Sequence, residues 1–320
     1  MTTQQQITDY INTEIAAISY PATPAGLYEP IAYTMSSGGK RLRPTLLLSA
    51  MEAFGGEIKD AVNQAIGIEM YHNFTLVHDD VMDNADVRRG RPTVTHKWGR
   101  DTAILSGDTI LSLATVYMAK CAPDRLSAVL EMFNRTAIEV YEGQQFDMDF
   151  ESRMDVSIDE YINMIRLKTS VLLAGACAIG AIMAGATEAE QKAMYEYGIS
   201  LGLAFQLRDD YLDTYGDPLI FGKEIGGDIV NGKKTWLLIN ALNSDSTGEL
   251  KHILATPMPD SEKIERVRNI YNGLGLDKSI CSLIEEYTDK AVNALNGINL
   301  KPGWKEYFSE LATGLNKRDL

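Results

Sequence analysis

Two stretches of this sequence write the same acidic pattern into apolar, helix-period surroundings. Leu76-Val-His-Asp-Asp-Val-Met-Asp83 and Leu207-Arg-Asp-Asp-Tyr-Leu-Asp213 both read D-D-x-x-D, with first aspartates 130 positions apart. Residues three and four apart share one helix face, so Asp79, Asp80 and Asp83 are expected to crowd together, as are Asp209, Asp210 and Asp213. One such cluster, in a chain with 44 acidic residues, reads as a solvated helix face. Here Phe74, Leu76, Val77, Val81 and Met82 flank the first cluster, and Phe205, Leu207, Tyr211 and Leu212 the second. Like charges at this spacing destabilise a helix unless something neutralises them. The pattern therefore predicts two acidic helices facing each other across a cavity, holding hard divalent cations. Mg²⁺ is the simplest choice, because it takes carboxylate oxygen and bridges to phosphates.

Helical periodicity continues along nearly the whole chain, without a convincing alternating strand. Ile7, Ile11, Ile15 and Ile18 mark an opening helix closed by Pro21 and Pro24. Further helices are expected over 26–37, from Pro44 to Gly55, and from Ile58 to Asn84, the last carrying the first triad. A charged loop, 86–99, follows. Helices are then predicted over 101–120, 124–150, 158–185, 188–215 and 234–243, with a long loop at 216–232 and three or four shorter helices over 248–313. No low-complexity linker divides the chain, so the expectation is one all-α domain over 1–320, a helical bundle around a central cavity.

A formal charge of −14 and a pI near 4.8, with no dominant basic stripe, argue against a nucleic-acid partner. Cys121, Cys177 and Cys281 lack metal-ligand spacing and fit a reducing cytoplasm. The opening Met1-Thr-Thr-Gln-Gln-Gln has neither the basic nor the apolar region of a signal peptide. The apolar run from Val171 to Ala186 is short and Gly/Ala-rich for a membrane span, and predicts a buried helix.

Cations that could answer the aspartates stand in four places. Gly38-Gly-Lys-Arg-Leu-Arg-Pro44 sets a glycine turn and three cations before a helix, where an anion is favoured. Arg88-Arg-Gly90 follows five residues after Asp83, and arginine offers a planar fork to phosphate oxygens. Lys168-Thr169 opens the apolar run. Gly222-Lys-Glu-Ile-Gly-Gly-Asp-Ile229 leads to Gly232-Lys-Lys-Thr235, which nearly spells a nucleotide P-loop. Lys234 replaces the required Ser or Thr and no strand precedes it, so that reading fails. An EF-hand fails for want of alternating ligands and a central glycine. A His-Asp phosphohydrolase, suggested by His78-Asp79, needs more histidines than the four present. His72 stands two helical turns before Asp79 on a similar face, beside the suspected anion site.

In this order and spacing, the set resembles the trans-type isoprenyl diphosphate synthases, the family of farnesyl, geranylgeranyl and longer polyprenyl diphosphate synthases. The likeness spans nearly the whole chain. It includes Gly143-Gln144 and Phe205-Gln206 besides the motifs above, and departs slightly at Thr93-Val-Thr-His96, where many relatives have His directly after Val. The resemblance implies the all-α isoprenoid synthase fold and head-to-tail condensation of isopentenyl diphosphate with dimethylallyl, geranyl or farnesyl diphosphate. It implies three Mg²⁺ per active site, two on Asp79 and Asp83 and one on Asp209, supported by Asp80, Asp210 and Asp213. By the same likeness Lys40, Arg43, His72 and Arg89 hold the isopentenyl diphosphate, and Arg88, Lys168, Lys223 and Lys233 the allylic one. Thr169 and Gln206 present oxygen dipoles to the allylic cation. A homodimer is also implied.

In this family the residues before the first triad help to set product length. Phe74 lies five residues before Asp79, roughly 7.5 Å along the helix, and Tyr71 one turn deeper. A single aromatic at the five-before position, with Thr75 next to it, resembles the type that makes a C20 product, with C15 the competitor. Two other readings remain in view: a non-catalytic subunit of a heteromeric synthase, and a terpene cyclase. The first would lack a triad or part of the basic set, and the second has no need of the Gly38–Pro44 motif.

Overall fold

The computed structural model describes residues 2–217 and 225–316, which fold as two compact units. The first takes in residues up to Asn134, with Gly175–Met194 and Asn299–Pro302; the second holds Arg135–Ala174, Tyr195–Ile298 and the end of the chain.

In the first unit, α1 (Gln4–Ala16) starts at a capping box between Thr3 and Gln6 and buries Ile7, Ile11 and Ile15, the stripe its sequence predicts. Next come α2 (Ala25–Met35) and α3 (Leu42–Ala53), the latter buried along nearly its whole length. A 3-10 turn, Ile58–Ala61, leads into α4 (Val62–Met82), which ends where Asn84 takes a φ of +50°. Antiparallel to α4 runs α6 (Arg100–Met118). Gln64 donates its side-chain amide to the carbonyls of Met118 (3.1 Å) and Lys120 (3.0 Å) at one end, and His78 meets the Ile104 carbonyl at the other. The pairing fixes which residues of α6 lie beside the first triad. The start of α7 (Pro123–Glu151), most of α9 (Val171–Ala184) and the start of α10 (Glu188–Tyr215) complete this unit.

The second unit contains the rest of α7, α8 (Ile158–Ile165), the remainder of α10, and α11 to α16: Gly227–Val230, Trp236–Ser244, Glu249–Ala255, Asp260–Gly273, Leu276–Ala294 and Trp304–Asn316. Its core gathers Tyr161, Leu203, Leu207, Leu237, Tyr271 and Ile280.

The structure departs from the sequence reading in three places, each with a local cause. The segment 86–99 is not all loop. Arg89 (φ +53°) and Gly90 (φ +72°) turn a minimal hairpin between β1 (Val87–Arg88) and β2 (Arg91–Pro92), since consecutive positive φ values make the turn that suits paired strands. Thr93 then caps the short helix α5 (Val94–Trp98). Within 216–232, α11 is one helical turn. Asp213 caps it from outside, its Oδ2 accepting from the Asp228 N–H at 3.0 Å. The single helix expected over 158–185 is interrupted by a π-turn, Arg166–Ser170, where the Val171 N–H reaches back five residues to the Arg166 carbonyl. The stretch Ile158–Ala184 is, among the described residues, the one helical run long and apolar enough to cross a membrane. Seventy-eight per cent of its most apolar window is buried, as in a core helix.

Candidate active site

The first triad sits on the last turn of α4. Its three carboxylates do not act alike. Successive residues on a helix are about 100° apart, so Asp79 and Asp80 cannot share one direction. Asp80 turns inward, 5% exposed, and its Oδ1 accepts from Arg88 Nε at 2.6 Å. Burial pushes its carboxyl up, against the pull of Arg88. Asp83 is exposed at the helix end and Asp79 half-exposed, four residues apart on one face. The expected cluster of three is therefore an outward pair and an inward partner that holds the hairpin arginine.

Around this helix end the first unit concentrates positive charge. Burial, then Arg43, Arg89, Arg88 and Arg41 in turn, hold the His72 imidazole well below the usual histidine range, so it is neutral. Arg43 is drawn down to about 10 by burial, with Glu69 opposing and Arg89 adding, and stays charged at neutral pH. Its Nε is buried and meets no partner among the described residues. Arg89 donates Nη1 to the Gly38 carbonyl at 2.7 Å, which ties the hairpin to the glycine turn. Lys40 is exposed on that same turn. Tyr33 braces the hairpin, donating its hydroxyl to the Pro92 carbonyl at 2.8 Å beneath the Arg91 guanidinium, 4.1 Å from its ring.

Arg41, between Lys40 and Arg43 in sequence, has a different task. It holds a left-handed conformation (φ +48°) and points inward, 5% exposed. There it donates to Glu69 Oε1 (2.6 Å), Asn12 Oδ1 (3.0 Å) and the Met35 carbonyl (3.1 Å). It thereby engages Glu69, the acid whose charge opposes those of Arg43 and Arg89. Arg43, Arg88, Arg89 and neutral His72 offer the chemistry that recognises a diphosphate.

In the second unit, the triad on α10 splits in the same way. Asp210 is buried (3% exposed); Tyr161 donates its hydroxyl to Oδ2, and the Gln206 amide donates to Oδ1 at 3.1 Å. Burial pushes its carboxyl up to about 7, with Lys233 pulling down and Asp228 pushing up. Burial, reinforced by Asp210, holds the Tyr161 hydroxyl well above its usual range, so it remains a donor. Asp213 is partly engaged as the cap of α11, and Asp209 is half-exposed. Thr169 donates to Gln206 Oε1 at 3.0 Å, so a chain of bonds runs from the π-turn to the triad. Lys168, on the same turn, reaches Asp147 Oδ2 at 2.5 Å. Lys233 lies 3.5 Å from Asp228. Burial works against its charge, but Asp210, Asp228 and Asp147 outweigh burial and raise it above the usual lysine range. Lys223, with Gly222, lies outside the described residues.

Asp147, Asp228 and Tyr161 were not among the residues the sequence singled out for a role. Asp147 follows Gly143-Gln144 by one helical turn, and that glycine shows why the turn matters. A Cβ at Gly143 would lie 2.2 Å from the Lys168 backbone nitrogen, so α7 presses directly on the π-turn. Gly143→Ala is expected to lower stability by about 1–3 kcal/mol by forcing the two backbones apart. The readout is a lower denaturant midpoint at unchanged slope; an unchanged midpoint would mean the contact yields freely.

Phe74 and Tyr71 are buried one turn apart on α4, with ring centroids 5.6 Å apart, and Phe133 stands 5.4 Å from Tyr71.

Among the described residues, no three His, Cys, Asp or Glu side chains converge closely enough to hold a metal ion by themselves. The outward Asp79/Asp83 pair and Asp209 instead offer one or two hard oxygen donors each. That suits Mg²⁺, which keeps its waters and completes its shell with substrate phosphate.

The Polyprenyl synthetase family model matches residues 24–274. The chain is 37% identical to a geranylgeranyl pyrophosphate synthase of Geoglobus acetivorans over 312 residues, 97% of this chain and 96% of that one. It is 44% identical over 220 residues, 68% of each chain, to a geranylgeranyl diphosphate synthase of Methanosarcina mazei. A crystal structure of a geranylgeranyl pyrophosphate synthase superposes with a TM-score of 0.95 at 45% identity, covering 99% of both chains.

Proposed function

This chain belongs to the polyprenyl synthetase family, and we propose that it condenses isopentenyl diphosphate with an allylic diphosphate to give mainly a C20 all-trans prenyl diphosphate. It is a trans-prenyltransferase with the all-α isoprenoid synthase fold. The observation that carries the residue assignment is the arginine group around neutral His72, with Glu69 engaged by Arg41, beside the outward pair Asp79 and Asp83.

In this reading Lys40, Arg43, His72 and Arg89 bind the diphosphate of isopentenyl diphosphate. A neutral His72 donates a hydrogen bond without adding to the repulsion among its arginines. Arg88, Lys168, Lys223 and Lys233 bind the allylic diphosphate. Three Mg²⁺, held by Asp79, Asp83 and Asp209, would supply further neutralisation of the leaving diphosphate. The allylic C1–O bond breaks with its electron pair going to that diphosphate, and the cationic side chains stabilise the charge as it forms. The isopentenyl alkene then attacks C1, and the departed diphosphate takes the proton released. Asp210 and Tyr161 hold the Gln206 amide in one orientation, so that Gln206 and Thr169 keep oxygen lone pairs ready for the allylic cation. The apolar, solvent-facing residues of α6, Ile104, Leu105 and Val116, suit a homodimer.

The test is incubation with Mg²⁺, isopentenyl diphosphate and dimethylallyl, geranyl or farnesyl diphosphate, followed by product sizing. The expected result is mainly C20 from each. No product would favour a non-catalytic subunit, and conversion without isopentenyl diphosphate a cyclase. Phe74→Ala is expected to lengthen the main product, because it removes a ring that stops the growing tail; unchanged length would take Phe74 out of that role.

A further inference from the structure

His78 precedes the first triad and has no part in the roles assigned above. Its ring lies in T-shaped contact with Phe74, four residues back on α4, with centroids 4.7 Å apart. The far side of the ring rests on α6. There Nε2 lies 3.2 Å from the Ile104 carbonyl oxygen, a contact that calls for a proton on that nitrogen, and 3.7 Å from Asp108 Oδ1. The ring fits only because residue 107 is glycine. A Cβ there would stand 2.3 Å from His78 Nε2 and 2.4 Å from Cδ2. Glycine inside a helix carries an entropic cost relative to alanine, and Gly107 is buried in the body of α6. The room it leaves is filled by this imidazole.

We propose that His78, seated on Gly107, is the positioning residue that holds the Phe74 ring in place and so sets where the growing prenyl tail stops. The imidazole is clamped between a backbone carbonyl and an aromatic edge. Phe74 in turn is backed by Tyr71, and Tyr71 by Phe133. The stop is then a stack of rings wedged against α6. Phe74 alone does not define it. Without the wedge, Phe74 regains rotamers that open the space beyond it, and the tail grows by one more five-carbon unit.

This inference rests on the prenyltransferase reading, and product sizing separates the two. His78→Ala and Gly107→Ala, assayed with Mg²⁺, isopentenyl and farnesyl diphosphates, should each raise the C25 to C20 product ratio about threefold to tenfold, the range an aromatic edge contact is worth. The double variant should move it no further than either single change, because Gly107 matters only as the seat of the ring. A ratio unchanged in His78→Ala would overturn the proposal, as would full additivity in the double variant. If Gly107→Ala does not fold, His78→Ala alone still decides. An unmodified enzyme that makes no prenyl product would remove the reaction itself, and this inference with it.

Discussion

Asp79→Asn is expected to cut turnover by about a hundredfold to a thousandfold at saturating Mg²⁺, the range for losing one group that offsets charge forming on a leaving group. The change keeps shape and removes only the charge. Asp79 and Asp83 share a face of α4 at the spacing where like charges repel, so the variant should be at least as stable as its parent. The pairing of lost turnover with kept stability is the informative result. Steady-state kinetics beside a thermal melt would show it. Turnover within about threefold of the parent would remove Asp79 from metal binding.

Arg41→Met is expected to produce the largest loss of stability, about 3–5 kcal/mol, the usual cost of leaving one member of a buried ion pair alone. Glu69 is 3% exposed, and without Arg41 its Oε1 keeps, among the described residues, a 3.3 Å bond from Asn73. Replacing both members with apolar side chains, Arg41→Met with Glu69→Leu, should recover most of the loss. Denaturant titrations of the three variants measure both effects. A single variant within about 1 kcal/mol of the parent would mean that Glu69 finds water or another donor. The double variant separates fold from function as well, since it removes the acid that opposes the arginines around His72.

The parts of this protein that are legible in its sequence are those in which chemistry dictates residue type. The paired triads, the arginines near Gly39 and Gly90, and the long helices between them are written in charge and period. The parts that are not legible depend on which way a side chain points. Arg41 and Arg43 are the same residue two positions apart, and only the left-handed turn at Arg41 sends it into the core. Asp80 and Asp210 carry the motif's charge but spend it on Arg88, Tyr161 and Gln206. Asp147 and Asp228 carry no pattern that marks them out from other acids, and gain their importance from the lysines that fold against them. The π-turn leaves no trace in composition, because Arg166-Leu-Lys-Thr-Ser170 is as helical on paper as its neighbours.

That wide turn makes chain length, rather than residue identity, the sensitive quantity in this segment. Tyr161 before it and Ala174 after it both pack on α10, the first through the Asp210 carboxylate and the second at 2.4 Å from where a Cβ of Gly198 would stand. Deleting one residue from 166–170 would close the bulge into a regular helix and change which way the side chains of that turn point, Lys168 and Thr169 among them. Such a one-codon loss would break the Lys168–Asp147 and Thr169–Gln206 bonds together, where a substitution at either position breaks one.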